Sequence, residues 1–418
     1  MATASTFFAA SCCGLPERNY GAFPHHHEST LVPAPPPITK EDELHWLALR
    51  LIPGLGTRKA NQLLERLHTP QAIFRASRSE LEATGLSGSV AQTIASGCTF
   101  DDAVDQQQKM LEMGARLVTF SDPAYPARLR EIFDPPIALF ARGRIELLQS
   151  IALGVVGTRR PTQYGSAATE RLAADLAHAG LAIVSGMARG IDTSAHRAAL
   201  DIGGDTLAVL GCGVDLVYPV ENRKLSEEIA EKGLVISEFP MGSPAYPQNF
   251  PIRNRIISGM SVGVLVVEGA QYSGSAITAK MALEQQREVF AVPGSIMSKM
   301  SWGPNLLIKQ GAKLVQEWND VLVELPSDIR RALIGKAQAR LGVMSLEVNG
   351  EEPALPPELG AASRVVFNKL KPDVPTHIDE LIETSDTLTP SEVMAALFEL
   401  ELLGLARQLP GKNFVKVW

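Results

Sequence analysis

The chain has 418 residues, of which 45% are hydrophobic and 20% charged, which is the composition of a globular protein with two or three domains. No apolar run reaches the length of a membrane span, and no basic segment precedes the short apolar stretch 7–10. The four cysteines form no CxxC pair, which argues against a zinc site or a disulfide framework. We therefore expect a cytoplasmic protein without membrane contact.

The net charge of −7 argues against nucleic-acid binding, because phosphate groups are bound by cationic side chains. The excess acid is unevenly distributed, however: the net charge is −2 over residues 1–150, zero over 151–318 and −5 over 319–418. The middle of the chain can therefore carry a local basic site although the whole chain is acidic.

Residues 1–38 contain a proline cluster at 33–37 and a histidine triplet at 25–27, without helical or strand periodicity. Such a composition buries too little apolar surface to fold, so we predict a disordered tail. Metal binding by the triplet is the alternative interpretation, although no fourth ligand stands nearby in the sequence.

Residues 39–115 have leucines at helical spacing and are predicted to form a small helical domain. Two glycine-containing turns, 52–56 and 84–88, each precede a helical segment and resemble SAM or helix-hairpin-helix units. Glycines at such turns let backbone N–H groups approach a phosphate at a helix N-terminus. The alternative is a helical connector that only needs tight turns.

Between residues 116 and 324, short β-branched runs alternate with helical segments. Several runs are apolar without alternation, as expected for parallel strands that are buried on both faces. The repeated order of strand and helix predicts an α/β fold with a Rossmann-like, doubly wound, mainly parallel sheet. The predicted strands are 151–156, 182–185, 206–210, 235–237, 262–267 and 289–292.

Ligands of doubly wound sheets bind beyond the carboxyl ends of the strands, where five loops of this chain carry glycines and polar side chains. In the first loop, 157–165, Gly157 permits a sharp exit from the strand, and Arg159 is suited to grip a phosphate through its planar fork. The chain contains neither the dinucleotide fingerprint GxGxxG nor a P-loop, so NAD binding and ATP hydrolysis are not indicated.

The second loop, 185–192, and the third, 211–222, are also rich in glycine. Asp192 is interpreted either as a cap of the following helix or as a ligand contact. His196, one turn later, is interpreted either as a packing residue, which is the commoner role, or as a ligand contact. Cys212 has no evident partner base, so we do not predict a thiolate nucleophile.

The fourth loop, 250–257, combines Phe250 with Arg253 and Arg255, and the fifth, 273–278, places hydroxyl groups at a helix start. Arginines can bind the phosphates of a nucleic-acid strand while an aromatic ring stacks on any base. The alternative is that one arginine forms a structural salt bridge and that the ring belongs to the core.

Residues 325–362 are rich in Pro, Gly and Glu and are predicted to be a linker. Residues 363–418 show three helical segments followed by a hairpin, the pattern of a winged helix. The third segment, 391–403, contains three glutamates and neither Lys nor Arg, which favours contact with a protein over recognition of duplex DNA.

In their order along the chain, the five loops closely resemble the DprA (Smf) family of bacterial DNA-processing proteins, from about residue 120 to residue 315. The resemblance rests on the segments VGTRRPTQYG, SGMARGID, LGCGVD, YPVEN, SEFP, NFPIRNRIISGMS, YSGSAITA and AVPG. It implies a non-enzymatic protein that binds and protects incoming single-stranded DNA during natural transformation and helps to load the recombinase RecA. It also implies a homodimer formed through the Rossmann-like core.

The resemblance places DNA contacts on particular residues. Arg159 matches a DNA-contacting arginine of the family, Phe250 an aromatic that contacts a base in some members, and Arg253 and Arg255 the shared RNR motif. Some members carry a DNA-binding lysine just before the aromatic, where this chain has no lysine in 246–249, so binding is expected to rest more on the arginines. No catalytic residue, metal site or cofactor is predicted. The candidate DNA-binding residues are Gly157, Thr158, Arg159, Arg160, Ser185, Gly186, Arg189, Phe250, Arg253, Asn254, Arg255, Ser273, Gly274 and Ser275.

Two other functions remain open at this point. The core resembles, more distantly, Rossmann-like proteins that hydrolyse the glycosidic bond of nucleotides and carry a PGGxGT segment. Here the segment 293–295 lacks the second glycine, and the spacing of Glu238 and Asp192 indicates no acid–base pair. A pure scaffold for recombination proteins, without affinity for DNA, is the third possibility.

Overall fold

A computed structural model of the protein describes residues 39–271, 273–340, 360–371, 375–385, 388–402, 405–409 and 411–416. The chain divides into two compact units, Met1–Gly342 and Val343–Trp418. The predicted tail 1–38 with its histidine triplet, and residues 341–359 of the predicted linker, lie outside the described residues.

Six helices open the described part of the first unit. They are α1 (Lys40–Leu51), α2 (Thr57–Leu67), α3 (Pro70–Arg75), α4 (Arg78–Glu82), α5 (Gly88–Ser96) and α6 (Phe100–Met113). Thr39 and Ser77 start α1 and α4 with capping boxes, in which side chain and backbone three residues apart bond reciprocally. Each of the two predicted glycine turns leads into a helix, α2 or α5.

A nine-stranded sheet forms the centre of the first unit. Its strands are β1 (Arg116–Thr119), β2 (Ala138–Gly143), β3 (Ala152–Val156), β4 (Ala182–Ser185), β5 (Thr206–Val209), β6 (Leu234–Ser237), β7 (Ser261–Val266), β8 (Glu288–Ala291) and β9 (Lys313–Leu314). In space they follow the order β1-β2-β6-β5-β4-β3-β7-β8-β9. Strand β1 pairs antiparallel with β2, and β2 pairs antiparallel with β6, whereas all other pairs are parallel.

The mainly parallel, doubly wound sheet confirms the predicted fold class. The six predicted strands correspond to β3 through β8, each shifted by no more than one residue at either end. The antiparallel pair β1 and β2 and the short edge strand β9 were not predicted. The edge strand β9 has only two residues, both exposed, and therefore carries no apolar run.

Nine further helices connect and cover these strands. They are α7 (Ala127–Arg130), α8 (Gln163–His178), α9 (Ile191–Asp201), α10 (Arg223–Lys232), α11 (Asn249–Met260), α12 (Gly274–Glu284), α13 (Trp302–Lys309), α14 (Asn319–Leu322) and α15 (Ser327–Arg340). Short 3-10 helices lie at Ile145–Gln149 and Val220–Asn222. Among the described residues, no helix is both long enough and apolar enough to cross a bilayer.

The apolar core lies on both faces of the sheet. On one face, Val184 and Ile236 pack with residues of α11 and α12 such as Ile257 and Ala279. On the other face, Leu153 and Ile183 pack against α8 and α9. The helical segment α1–α6 joins this arrangement, because its leucines share a buried cluster with residues of β5, β6 and α10. The predicted boundary at residues 115 and 116 thus lies between the all-helical segment and the first strand, while the apolar core continues across it.

The order of the strands places a ligand crevice at the carboxyl ends of the central strands. From β3 the chain builds β4, β5 and β6 on one side, and then returns to build β7, β8 and β9 on the other side. The loops that leave β3 and β7 therefore diverge. Such a switch point, at the carboxyl ends of parallel strands, is where doubly wound sheets bind their ligands.

The second unit is a winged helix, as predicted. It contains α16 (Ala361–Lys369), β10 (Thr376–His377), α17 (Ile378–Thr384), α18 (Pro390–Leu402), β11 (Ala406–Leu409) and β12 (Asn413–Lys416). The three strands form one antiparallel sheet in the order β10-β12-β11. Its own buried cluster includes Phe367, Leu381, Leu397 and Phe414, so this unit has an apolar core of its own.

Candidate nucleic-acid interface

A cleft of 760 Å³ opens at the carboxyl ends of the strands around the switch point, and all five predicted loops line it. A smaller, more enclosed recess continues from it beneath Phe250 and Tyr218. Twelve of the fourteen candidate residues line the cleft or its recess, and the two that do not are Ser185 and Arg255. The sequence positions that were expected to act together are therefore close in space, although their role in DNA binding stays a prediction.

The first loop presents two exposed arginines from a firmly held backbone. Thr162 caps α8, and its hydroxyl donates to the buried carboxylate of Glu268 at 2.6 Å while its backbone N–H donates to the same group at 2.9 Å. The side chain of Thr158 accepts a hydrogen bond from the backbone N–H of Arg160 at 3.2 Å. Arg159 and Arg160, which precede Thr162 in this loop, are both exposed to solvent.

Two aromatic rings form the platform of the cleft. The ring centroids of Phe250 and Tyr218 lie 5.4 Å apart, and the guanidinium of Arg159 lies 5.5 Å from the centroid of Phe250. Gly211 permits this packing, because a Cβ at that position would come within 3.0 Å of the Phe250 ring. An aromatic face bordered by cations is suited to a stacked base whose phosphates are bound beside it.

Arg253 forms the floor of the cleft. Its guanidinium is buried and donates to the backbone carbonyls of Gly186, at 2.7 Å, and of Val209. A Cβ on Gly186 would lie 2.5 Å from this guanidinium, so a side chain at that position would displace Arg253. Burial lowers the pKa of Arg253 to about 10, opposed by the nearby carboxylate of Asp192, and the group stays charged at neutral pH. Arg253 therefore braces the second loop and adds a positive charge beneath the ligand.

Asp192, the second residue of α9, does not cap the helix but holds the second loop in place. Its carboxylate accepts hydrogen bonds from the backbone N–H groups of Gly186 and Ala188, at 3.1 and 3.2 Å. Burial raises the pKa of Asp192, and the charge of Arg253 opposes that change. Asp192 lines the cleft, so it is the one carboxylate that a bound ligand would meet there among the described residues.

His196 is a packing residue, as predicted, and Cys212 is also buried. His196 is fully buried, its Nδ1 lies 2.7 Å from the hydroxyl of Thr206, and burial lowers its pKa to about 3. Burial raises the pKa of the Cys212 thiol to about 11. The imidazole is therefore neutral and the thiol protonated near neutral pH, and neither is poised for acid–base or nucleophilic chemistry.

Arg189 reaches the recess from the second loop and is paired with an acid. Its guanidinium lies 2.5 Å from the carboxylate of Glu221, and both side chains are exposed. At the opposite side, Ser273 caps α12 and its hydroxyl lies 2.7 Å from that of Ser275. The start of α12 thus presents hydroxyl groups and the positive end of a helix dipole to the cleft.

The expectation of a loop at 250–257 was wrong, because these residues belong to α11. In a helix, residues two apart point to nearly opposite sides. Arg253 therefore faces the cleft, whereas Arg255 points away from it and is buried, 2.6 Å from Glu238 and 3.1 Å from Asp134. Arg255 is an interior ion-pair residue and is removed from the set of candidate ligand contacts.

Ser185 is the second correction. It is fully buried at the end of β4, and its hydroxyl donates to the carbonyl of Val155 at 2.6 Å. The hydroxyl thus joins two neighbouring strands and does not reach the cleft. Conversely, sequence reasoning left Tyr218 and Asp192 out of the candidate set, although both line the cleft. The signal for Tyr218 was its position in the YPVEN segment that follows the third glycine loop.

The lining of the cleft is positively charged although the protein is acidic. Among the described lining residues, Arg159, Arg160, Arg189 and Arg253 stand against the single carboxylate of Asp192. The charge, the helix N-terminus at Ser273 and the aromatic platform are all properties that favour a polyanion with flat apolar groups.

Comparisons with known proteins agree with this geometry. Residues 116–326 match the family model of DNA recombination-mediator protein A, and residues 350–412 match the model of the DprA winged helix domain. The chain is 34% identical over 403 residues to Protein Smf of Synechocystis sp., which covers 90% of this chain and 99% of that protein. It is 44% identical over 216 residues to the DNA processing protein DprA of Bacillus subtilis, covering 51% of this chain and 73% of the relative.

Among solved structures, the X-ray structure of DNA processing protein A from Streptococcus pneumoniae is similar with a TM-score of 0.57 and 36% sequence identity. The match covers 68% of this chain and 98% of that one. The family models match parts of both units, and the Synechocystis relative is matched along nearly its whole length. The chain therefore belongs to the DprA (Smf) family of DNA-processing proteins.

Proposed function

We propose that the cleft binds single-stranded DNA. The observation that carries this proposal is the convergence of four arginines and two neighbouring aromatic rings in one cleft, with its recess, at the switch point of the sheet. Arg159 and Arg160 bind the phosphates, Phe250 stacks on a base, and Arg253 supplies charge from below. The names of the curated relatives, which are DNA-processing proteins, support the same ligand class.

A single strand fits this cleft better than a duplex does. The volume of 760 Å³ lies in the range of sites for small molecules, which suits a few unpaired nucleotide units. The ring of Phe250 is half-buried beside Tyr218, so only a base that has left its own stack can reach its face. The cleft is therefore expected to be indifferent to base sequence and selective for unpaired strands.

The same residues support binding rather than catalysis. Of the described residues that line the cleft and its recess, the ionisable groups other than arginines are Asp192, Cys212 and Tyr218. The thiol of Cys212 is held protonated by burial, and Asp192 is engaged by two backbone N–H groups. A carboxylate that is already used to hold a loop is a poor general base, which disfavours glycosidic-bond hydrolysis.

Within the family role, this protein would protect incoming single-stranded DNA in natural transformation and help to load RecA, in the cytoplasm. A homodimer through the Rossmann-like core belongs to the same proposal. The proposal is supported by a group of large exposed apolar side chains beside the edge strand β9. The surfaces of monomeric soluble proteins rarely carry such groups. These side chains are Ile296, Met297, Trp302 and Leu314.

The decisive experiment is a titration of the full chain with single-stranded and duplex oligonucleotides at several salt concentrations. We expect preference for the single strand and an affinity that falls as salt rises. Arg159→Ala should weaken binding about tenfold to hundredfold, since a charged hydrogen bond to phosphate is lost. The loss should be similar for all base sequences. The slope of the logarithm of affinity against the logarithm of salt concentration should become shallower by about one, because one phosphate contact is lost.

Arg171→Ala is the matched control, because Arg171 is an exposed arginine of α8 that does not line the cleft. It removes the same charge and should leave affinity unchanged. Equal losses in the two variants would show that only overall charge matters. Unchanged affinity in Arg159→Ala would exclude the first loop as the site.

A further inference from the structure

The winged-helix unit leaves an apolar face uncovered within the described residues. Met394 and Phe398 lie four residues apart on α18, so they share one side of the helix, and their exposed fractions are 56% and 65%. Their neighbours Val393 and Leu397 are buried in the core of the unit. Large apolar side chains that stand together on a surface mark a site of interaction.

These side chains form one wall of a groove. The floor consists of Ile378, Leu397 and Phe414, and the opposite wall comes from the hairpin of β11 and β12. The groove encloses about 210 Å³, which is below the usual size of a site for a small molecule or cofactor. It has room for one or two apolar side chains of a peptide.

The two walls carry opposite charges at their polar ends. Glu401 lies on the wall formed by α18, one turn beyond Phe398, and Lys412 lies on the wall formed by the hairpin. Both residues are exposed. An occupant of the groove would therefore meet an acid on one side and a base on the other, which fixes its direction.

The exposed face of α18 is unsuited to duplex DNA. In winged helices that read DNA, the corresponding helix presents Lys or Arg to phosphates and bases. Here the exposed charged residues of α18 are Glu392 and Glu401, and the helix contains neither Lys nor Arg. On the face that carries Met394 and Phe398, the carboxylate of Glu401 would repel phosphate and would lose its contact with water without compensation.

We propose that this groove docks an amphipathic helix of a partner protein. The helix inserts two apolar side chains, three or four residues apart, between Met394 and Phe398 and the hairpin. It also carries a basic residue that pairs with Glu401 and an acidic residue that pairs with Lys412. The proposal goes beyond DNA binding by the cleft and does not depend on it.

A peptide-display selection tests the proposal although the partner protein is unidentified. A library of randomised helical peptides is selected on the full chain and depleted on the Phe398→Ser variant. We expect the enriched peptides to carry an apolar pair three or four residues apart with a flanking Lys or Arg. A synthetic peptide of that sequence should bind Phe398→Ser at least about tenfold more weakly than the parent chain, as expected for an aromatic anchor.

Glu401→Lys provides a test of direction that does not depend on an apolar substitution. On that variant the selection should replace the flanking base with an acid, while the apolar pair persists. Val365→Ser is the matched control, because Val365 is an exposed apolar residue of α16 that does not line the groove. It should bind the peptide as the parent chain does.

Several outcomes would overturn the proposal. These are a selection that enriches no peptide sensitive to Phe398→Ser, enriched peptides without an apolar pair, or duplex binding by the parent chain that is lost in Phe398→Ser. Self-association of the chain that disappears in Phe398→Ser would assign the groove to a second copy instead. Single-stranded DNA affinity, measured on the same variants, reports separately on the cleft and should not change.

Discussion

Two groups of arginines in the first unit have opposite surroundings. In the cleft, Arg159 is exposed beside an aromatic ring, and Arg189 is exposed with a single acidic partner. At the junction of α1 and α11, Arg255 is buried between Glu238 and Asp134, and Arg50 donates to the carbonyl of Glu238 at 3.0 Å. The residue type is the same, but the charge of Arg255 is neutralised inside the protein, whereas the charge of Arg159 faces solvent.

The comparison shows how one helix serves two purposes. Helix α11 directs Arg253 to the cleft and Arg255 to the junction with the N-terminal helices. Buried ion pairs are costly to break because a lone charge stays behind in a poor solvent. Exposed ion pairs contribute little to stability, so another anion readily replaces the acidic partner of the arginine. Arginines of the junction should therefore affect stability, and arginines of the cleft should affect affinity.

The largest effect is expected for Arg255→Met, which keeps an unbranched apolar stem and removes the charged guanidinium. Glu238, whose side chain is 3% exposed, then loses its closest cation. We expect the free energy of unfolding of the first unit to fall by about 3 kcal/mol, the low end for a broken buried pair, since Arg50 remains nearby. Urea denaturation measures this change, and the affinity of the folded protein for single-stranded DNA should be unaltered.

Arg159→Met is the matched control for that variant. It should weaken the binding of single-stranded DNA and leave the free energy of unfolding unchanged. Adding Glu238→Gln to Arg255→Met should recover part of the stability, because the stranded charge is removed. The distinction between cleft and junction fails if Arg255→Met weakens DNA binding as much as Arg159→Met does.

A second prediction concerns the aromatic platform. Phe250→Ala should weaken binding of single-stranded DNA by about 1–3 kcal/mol, the contribution of stacking on one base. The salt dependence should stay the same, because stacking releases no counterions, and this separates it from Arg159→Ala. Phe133→Ala is the control, since Phe133 is an exposed ring outside the cleft that packs with Arg58. A reduced salt dependence in Phe250→Ala would mean that the ring acts by positioning Arg159.

The smallest expected effect is a gain, rather than a loss, of affinity for single-stranded DNA. Glu221→Gln releases Arg189 from its partner, so single-stranded DNA should bind about twofold to fivefold more tightly, in line with the weakness of exposed ion pairs. The affinity should also depend more steeply on salt. Glu227→Gln, which removes the partner of Arg223 on α10, is the matched control and should change neither quantity. Weaker binding by Glu221→Gln would show that Arg189 needs its partner in order to meet the DNA.

Much of the fold could be predicted because the signals are local. Apolar runs without alternation identified the six central strands, and the glycine loops between them identified the edge of the sheet where the cleft lies. The winged helix followed from three helical segments and a hairpin. The strands β1 and β2 escaped prediction because they lie outside the alternation of strand and helix, and β2 joins the sheet antiparallel beside β6, which is far from it along the chain.

Within the site, the sequence by itself determined which residue types are present and which loops bring them together. The carboxyl ends of parallel strands lie on the same side of a sheet. Twelve of the fourteen candidate residues accordingly line one cleft and its recess there. Only the tertiary structure decided which of those side chains reach the cleft. Residues 250–257 became helical, which turned Arg255 inward to Glu238 and left Arg253 beneath Phe250. The RNR motif specifies two arginines, but the rotation of the helix and the burial of each side decide their separate roles.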